Sequence, residues 1–267
     1  MVSQPVKFEK LLNTRDLGGM TGADGRRIKP GKLFRSGHLY GTSEADLEKL
    51  SQMIDVSVDF RTQQERDEKP EPAIPGVRLV QLPIFEEQQA GVTRDEDSFA
   101  EIRQKMLVDA IVSKHYMAGV YKKFIRSAFS VGQYEQFVRI LLEEHEKGVL
   151  WHCTAGKDRA GFATVIVQEL LGVSRDDIEA DYMLTNVCLE PEIQSLLKMF
   201  RQMPGVDPEV AAEGCLYIFS AFEDYLHTAY ETVEKEYGSF DNYLSRGLHI
   251  TTAERDRLRE MYLETQQ

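Results

Sequence analysis

The chain of 267 residues has few cysteines, no long apolar run and no excess of basic residues. Its three cysteines, Cys153, Cys188 and Cys215, are too few and too scattered for a disulfide framework or a CxxC metal site. No run of about 18 apolar residues is present, so no membrane-spanning helix is expected. Residues 1–10 carry no signal-peptide pattern. The expected location is the reducing cytoplasm; secretion without a leader, or with a leader trimmed, is the alternative left open.

Basic residues are outnumbered, since 32 Lys and Arg stand against 44 Asp and Glu and give a formal net charge of −12. Non-specific nucleic-acid or membrane-surface binding needs a basic face, and the sequence argues against both. Apolar residues make up 42% and charged residues 28%, as in an ordinary globular protein. This length and composition predict one domain over residues 1–267.

Strand and helix patterns alternate through the first two thirds of the chain. Ser43 is expected to cap a helix that runs toward Leu50, and residues 86–98 predict an exposed acidic loop. The other patterns predict strands at 32–35, 54–60 and 77–82, and helices at 115–129 and 134–146.

The last third is predicted to be almost entirely helical from residue 175 to residue 264. Breaks are expected near Pro191, between Pro204 and Pro208, and at Gly238. The whole pattern predicts an α/β domain with a helix-rich C-terminal third, and a helical lid is predicted within residues 85–130.

A strand, a loop and a helix follow one another between residues 148 and 171. Residues 148–152 (GVLWH) are typical of a buried strand, and residues 161–171 (GFATVIVQELL) of a buried helix. The loop between them contains a Cys-x5-Arg pattern, with His directly before the Cys. Ligand sites of α/β proteins lie at such strand-to-helix junctions, so this loop is the candidate site.

The residue types in this loop suit phosphate chemistry. A helix N-terminus stabilises the thiolate of Cys153, and its free N–H groups form a nest for an anion. Gly156 lets the loop curl, and Arg159 can hold two phosphate oxygens at once. The thiolate would attack phosphorus and form a phosphocysteine that water hydrolyses. The predicted phosphate-binding residues are Thr154, Ala155, Gly156, Lys157, Asp158 and Arg159.

Each of these residues has a plainer alternative. Cys153 alone would be interpreted as a small buried hydrophobe, which is the interpretation we prefer for Cys188 and Cys215. His152 either tunes the thiolate or orients the loop through a hydrogen bond. Lys157 is either a second cation of the site or a solvated surface charge.

The run HCTAGKDRAG at 152–161 resembles the signature HCxAGKDR[TS]G of the bacterial atypical protein tyrosine phosphatases, the PtpB-like group. NTRDLGG at 13–19 resembles the family's NxRDLGG, and GKLFRS at 31–36 resembles its GxLxRS. VDFR at 58–61 with Glu65 resembles its DLR…E, and residues 243–258 resemble its closing helix. The resemblance covers most of the chain. It implies a central, mostly parallel sheet flanked by helices and a cysteine-dependent phosphatase.

By this resemblance Cys153 is the nucleophile, Arg159 the phosphate clamp and Asp158 the general acid. The only tryptophan is Trp151, so no Trp-Pro-Asp element supplies the acid. The alternative is that Asp158 only stabilises the loop as a hydrogen-bond acceptor. In that case the candidate general acids are Asp59, Asp95 and Asp97, although Asp95 and Asp97 are more typical of solvated charges in a loop.

The resemblance also bears on the neighbouring cations. In the family, a lysine at the position of Lys157 accompanies activity on phosphoinositides as well as phosphotyrosine. His152, Asp59 and Arg61 are candidate supporting residues. For Arg15 and Arg35 we favour a structural role, in which ion pairs tie the N-terminal segment to the core.

One position departs from the family pattern, because Ala160 follows the arginine where Thr or Ser is usual. A hydroxyl there can donate to the sulfur and make it a better leaving group. Its loss predicts slower hydrolysis of the phosphocysteine rather than slower attack.

No motif for a nucleotide, a serine nucleophile or a metal is present, and the expected mechanism needs no cofactor.

Three functions compete. The first is hydrolysis of phosphotyrosine in a peptide or protein, with dual specificity as an extension. The second is hydrolysis of a phosphoinositide or another small phosphate ester, which the acidic surface disfavours on an anionic membrane. The third, favoured only by Ala160, is a pseudophosphatase that binds phosphate without turnover.

Overall fold

Six strands form one sheet in the computed structural model, which describes residues 1–86 and 109–265. They are β1 (Gln4–Pro5), β2 (Arg15–Asp16), β3 (Leu33–Ser36), β4 (Ile54–Asp59), β5 (Arg78–Gln81) and β6 (Gly148–His152). Their order across the sheet is β1-β2-β3-β6-β4-β5. Strands β3, β6, β4 and β5 are mutually parallel. At one edge of the sheet, β2 pairs antiparallel with both β3 and β1. The predicted α/β class with a mostly parallel sheet is confirmed.

Helices flank this sheet and make up most of the last third. They are α1 (Glu44–Met53), α2 (Gln63–Glu68), α3 (Ala110–Arg126), α4 (Ala128–Leu141), α5 (Arg159–Leu171), α6 (Arg175–Cys188), α7 (Glu190–Arg201), α8 (Pro208–Phe219), α9 (Glu223–Tyr237) and α10 (Thr252–Tyr262). A short helical stretch, Phe240–Asn242, continues as a π turn at Tyr243–Gly247. The predicted breaks are confirmed, since Pro191 lies in the first turn of α7 and Gly238 ends α9 with φ of 82°.

Local sequence sets several element ends. Ser43 caps α1 through a hydrogen bond from the Asp46 N–H, as predicted. The predicted helix at 134–146 was wrong in its bounds, because Ser127 accepts from the Ser130 N–H and starts α4 earlier. Residues 87–108 lie outside the described residues, and with them most of the predicted acidic loop and part of the predicted lid span.

The core is arranged around β6 and α5. All five residues of β6 are buried, and Leu150 and Trp151 pack into apolar clusters on opposite faces of the sheet. In the register of the sheet, His152 at the end of β6 is paired with Ser36 of β3 and Asp59 of β4. The carboxyl ends of three parallel strands therefore meet where the candidate loop begins.

Helices α7 and α8 pack together over a small apolar cluster of their own. It comprises Leu189, Ile193, Leu197, Ala212 and Cys215, with Ala155 of the candidate loop packed against it. Cys215 is thus a packing residue, as predicted. Within residues 1–86 and 109–265, no helix combines the length and apolar character needed to cross a bilayer.

Candidate active site

The candidate nucleophile, Cys153, lies in the turn between β6 and α5. Its side chain is 2% exposed. The loop then runs directly into the first turn of α5, which begins at Arg159. A helix N-terminus presents backbone N–H groups without helical acceptors and a partial positive charge. The loop therefore joins a thiol to the N-terminus of a helix, and anion binding there stays a prediction.

Arg159 is held by the carboxylate of Glu65, in α2. Its Nη1 and Nη2 atoms lie 2.5 and 2.7 Å from the two carboxylate oxygens. Burial opposes the charge of Arg159, but the hydrogen bonds and charge of Glu65 outweigh it and raise the pKa of Arg159. Burial likewise opposes the charge of Glu65, yet Arg159 lowers the pKa of Glu65 to about 2. Both groups are charged at neutral pH.

Thr154 joins the same contact. Its hydroxyl donates to Glu65, and Arg159 Nη2 donates to that hydroxyl over 3.1 Å. Glu65 itself is fixed by a capping box, in which its carboxylate accepts from the Thr62 N–H at 3.0 Å. The start of α2 thereby sets the direction of the guanidinium.

The loop backbone is supported from behind by the N-terminal segment. Asn13 donates from Nδ2 to the Ala155 carbonyl at 3.0 Å, and Arg35 donates from Nη2 to the Gly156 carbonyl at 2.6 Å. Gly156 has φ of 70°, and a Cβ built there would lie 2.5 Å from the Ser36 carbonyl oxygen. Glycine is required at this position because β3 leaves no room for a Cβ. A side chain there would also fill the space that the loop N–H groups offer to an anion.

Arg15 and Arg35 have structural contacts, as we favoured. Arg15 donates to the Asp181 carbonyl at 3.0 Å, and Arg35 lies 3.6 Å from the Asp181 carboxylate. Burial, followed by repulsion from Arg15, lowers the pKa of Arg35 to about 9. Both side chains are buried behind the loop.

Asp158, the candidate acid, has a side chain 23% exposed, so it can reach solvent or substrate. It occupies the N-cap position of α5 without making a side-chain capping bond. Its Oδ1 instead accepts from the hydroxyl of Tyr121, in α3, at 2.8 Å. The Tyr182 hydroxyl lies 2.7 Å from that of Tyr121. Because Tyr121 uses its single proton on Asp158, Tyr182 donates to Tyr121.

The side chain of Lys157 points inward. It is 2% exposed, and its Nζ donates to the carbonyl of Ile218 at 2.7 Å and that of Ser220 at 3.0 Å. The interpretation of Lys157 as a solvated surface charge was therefore wrong. The ammonium is enclosed between the loop and the end of α8.

Two carboxylates and one guanidinium surround His152. Its Nε2 lies 3.2 Å from Glu71 Oε1, and its Nδ1 lies 3.8 Å from Asp59 Oδ1. Burial opposes protonation, but the charges of Asp59 and Glu71 outweigh it and raise the pKa of His152. Arg61 forms a buried ion pair with Asp59 at 2.8 Å. These contacts anchor the end of β6 below the loop.

The alternative of Asp59 as proton donor does not agree with this arrangement. Burial would raise the pKa of Asp59, but His152 and Arg61 together lower it. Asp59 is 1% exposed and ionised, so it acts as a structural carboxylate. Asp95 and Asp97 lie outside the described residues.

Among residues 1–86 and 109–265, one set of acidic and histidine side chains has metal-ligand spacing. One ligand atom each of Asp59, Glu71 and His152 lies within 4.8 Å of the others. Arg61 already holds the Asp59 carboxylate, and the Ser57 hydroxyl donates to Glu71 at 2.8 Å. These contacts explain the cluster as an internal ion-pair network.

Ala160 is fully buried in the first turn of α5. Its carbonyl accepts from Trp151 Nε1 at 3.2 Å and from the Thr164 hydroxyl at 2.7 Å. Trp151 therefore packs under the start of α5 and fixes the helix end that carries the loop.

A cavity of about 140 Å³ adjoins the loop on the side of α7 and α8. Apolar side chains dominate its lining, with His38, Lys10 and Glu192 at its polar positions. Thr154 and Ala155 line the cavity from the loop, and Ile193, Leu196 and Phe219 line it from the two helices. The loop thus has an apolar neighbour of about the volume that holds a benzene ring in an engineered cavity.

Sequence reasoning missed the roles of two residues around the loop. Glu65 appeared only as part of a resemblance, and Tyr121 did not appear. Glu65 lies 94 positions from Arg159, and Tyr121 lies 37 positions from Asp158. No periodicity or spacing marks either residue, so only the tertiary contacts identify them.

Comparison with known proteins gives matches over nearly the whole chain. The pattern described as the tyrosine phosphatase family matches residues 6–264. A relative from Cupriavidus necator, named as a putative tyrosine-protein phosphatase, is 35% identical over 259 residues, covering 96% of this chain and 87% of the relative. The triple specificity protein phosphatase PtpB of Mycobacterium tuberculosis is 26% identical over 260 residues, covering 88% of this chain and 92% of that protein.

Proposed function

The chain belongs to the tyrosine phosphatase family and is a phosphatase, and we propose that it hydrolyses phosphotyrosine through a phosphocysteine on Cys153. The observation that carries this proposal is the loop at 153–159, which carries the thiol, Asp158 and the guanidinium held by Glu65. The phosphate would lie against the N–H groups of the loop and of α5.

In the first step, the Cys153 thiolate attacks phosphorus opposite the leaving oxygen, and the bond from phosphorus to that oxygen breaks. Arg159 and the backbone N–H groups stabilise the charge that spreads over the phosphoryl oxygens. Asp158 gives its proton to the leaving phenolate, which departs as the tyrosine hydroxyl.

In the second step, water attacks phosphorus and the sulfur leaves as thiolate. Asp158, now a carboxylate, takes a proton from that water, so inorganic phosphate is released and the starting state is restored. Every proton and electron pair in the two steps is accounted for by residues of the loop and by water.

Two observations support an aromatic ester over a membrane phosphoinositide. The apolar cavity beside the loop is about as large as an engineered cavity that holds a benzene ring, and the net charge of −12 opposes approach to an anionic bilayer. The relative PtpB is named as having triple specificity, which supports activity of this chain on phosphoesters besides phosphotyrosine.

The test is release of phosphate from a phosphotyrosine peptide in EDTA, with Cys153→Ser and Cys188→Ser compared. We expect full activity in wild type and Cys188→Ser, because Cys188 lies in α6 outside the loop, and none in Cys153→Ser. Arg159→Lys should lose on the order of a hundredfold or more in kcat/KM, because lysine cannot hold two oxygens. Activity that survives in Cys153→Ser, or that EDTA abolishes, would contradict the proposal.

Substrate class is measured with the same preparation. A phosphotyrosine peptide, a phosphoserine peptide and a short-chain phosphoinositide are compared by kcat/KM at equal ionic strength. The proposal expects the phosphotyrosine peptide to have the highest value. A higher value for the phosphoinositide would reverse the order of the two candidate substrates and leave the phosphocysteine chemistry in place.

A further inference from the structure

The ammonium of Lys157 occupies a built site inside the protein. Its two carbonyl acceptors, Ile218 and Ser220, belong to the last turn of α8 and to the residue that caps it. Carbonyls at a helix C-terminus lack helical donors and carry a partial negative charge, so they stabilise a cation. The ring of Tyr225 lies 5.9 Å away on another side.

The same ammonium lies 3.3 Å from Oδ1 of Asp158. That oxygen also accepts from the Tyr121 hydroxyl at 2.8 Å. A cation and an O–H donor therefore both approach Oδ1, and Oδ2 is the oxygen left to carry an acidic proton. The side chain of Asp158 is fixed in one orientation by contacts from the loop and from α3.

We propose that Lys157 is a positioning residue that links the end of α8 to the general acid Asp158, and that its ammonium does not bind substrate. This inference rests on the proposed function. Lys157 holds the carboxyl group toward the leaving oxygen, and its positive charge lies 3.3 Å from that carboxyl group. A substrate-binding lysine would need its ammonium at the open side of the loop, whereas this one is 2% exposed.

The phenols and the guanidinium that face Asp158 keep their protons over the working pH range. The phenols around it keep their protons, because burial raises the pKa of each: Tyr116, Tyr121, Tyr134, Tyr182 and Tyr225. Arg159 keeps its charge, and the Cys153 thiol is the remaining titratable neighbour within the loop. Lys157 is therefore the neighbour whose removal changes the field at Asp158 without touching the phosphate clamp.

The experiment compares Lys157→Met, Lys157→Arg and Lys122→Met from about pH 4.5 to 8 by single-turnover kinetics with enzyme in excess over substrate. The single-turnover rate at saturation reports the first step alone, and the half-saturating enzyme concentration reports substrate binding. Lys122 is an exposed lysine of α3 and controls for the loss of one positive charge. Substrates are a phosphotyrosine peptide and para-nitrophenyl phosphate, because nitrophenolate leaves without needing a proton.

With the peptide, we expect Lys157→Met to lower the saturating single-turnover rate about tenfold and to leave the half-saturating concentration within about twofold. The descending limb of the pH–rate profile should move about one unit higher in pH, because the positive charge beside Asp158 is gone. The loss should be smaller with para-nitrophenyl phosphate. Lys157→Arg keeps the positive charge, so its descending limb should lie at the same pH as in wild type. Lys122→Met should match wild type in both rate and pH profile. If Lys157→Met gives no folded protein, Lys157→Gln, whose amide can still donate to a carbonyl of α8, takes its place.

A rise in the half-saturating concentration at an unchanged single-turnover rate would overturn the inference and make Lys157 a substrate-binding cation. An equal loss on both substrates with no movement of the limb would also overturn it, and would assign Lys157 to packing alone. In an Asp158→Asn background, Lys157→Met should cost nothing further. If wild type itself hydrolyses neither substrate, the proposed function fails first, and this result is distinct from either outcome.

Discussion

The carboxylate of Glu65 lies edge to edge with the guanidinium of Arg159, with nitrogen–oxygen distances of 2.5 and 2.7 Å. Two parallel charge-assisted hydrogen bonds fix the plane and the direction of the arginine. The proposed phosphate clamp is thus oriented before substrate arrives. Pre-orientation reduces the loss of side-chain freedom that binding would otherwise require.

The substitution Glu65→Gln should loosen this clamp. A glutamine side chain can keep the capping contact of α2, but it lacks the charge and offers Arg159 one acceptor in place of two. We expect kcat/KM to fall about tenfold to a hundredfold, which corresponds to about 1.5–3 kcal/mol for hydrogen bonds to a charged group. The affinity for vanadate, an anion that occupies phosphate sites, should fall in parallel.

The matched control for this variant is Glu68→Gln, at the exposed end of the same helix. It removes a carboxylate from α2 without touching Arg159, so its kinetics should equal those of wild type. Equal losses in the two variants would show that helix stability or net charge, and not the clamp, is responsible.

Gly156→Ala should destabilise the protein more than Gly76→Ala. Both glycines have positive φ, of 70° and 76°, so both substitutions carry the same backbone cost of about 1–2 kcal/mol. Only at Gly156 would the new Cβ meet the Ser36 carbonyl, at 2.5 Å, which adds about 1–3 kcal/mol. Urea unfolding of the two variants measures the difference. Equal midpoints would show that β3 can move away from the loop.

Ala160→Thr should raise turnover and reduce any burst of product, because a hydroxyl at this position can donate to the departing sulfur. The gain expected from one such hydrogen bond is on the order of tenfold or more in the second step. Ala160→Val has the same shape without the hydroxyl and controls for crowding at this buried position. Stopped-flow traces that are alike for the two variants would refute the role of the hydroxyl.

His152 should make stability depend on pH. Its pKa in the folded protein is raised above 6.5, because the charges of Asp59 and Glu71 outweigh burial, so the folded state binds the proton more tightly than the unfolded chain. That contribution is complete below about pH 6.5 and is lost as pH rises through the folded-state pKa.

The free energy of unfolding of wild type and His152→Gln measures this effect. Their difference should be largest below about pH 6.5 and should shrink as pH rises above that value. His227→Gln, a change at an exposed histidine, is the control for loss of an imidazole. A gap between wild type and His152→Gln that widens with rising pH would reverse the assigned sign.

The fold was predictable where the signal is local. The strand predicted at 148–152 has those bounds in the structure, since five consecutive buried residues precede a turn. Helix ends were less predictable. Ser127 both ends α3 and begins α4, and the periodicity of apolar residues does not show where one helix stops and the next starts.

The sequence by itself determined the candidate loop, because the thiol, the glycine, the acid and the arginine are within seven consecutive residues and their spacing survives any packing. Only the tertiary structure decided what holds those residues. Glu65, Tyr121 and the carbonyls at the end of α8 reach the loop from 94, 37 and about 60 positions away. Such contacts depend on how helices pack across the sheet, and local sequence does not encode that packing. The same packing removes Lys157 from the surface and makes it a buried link between α8 and Asp158.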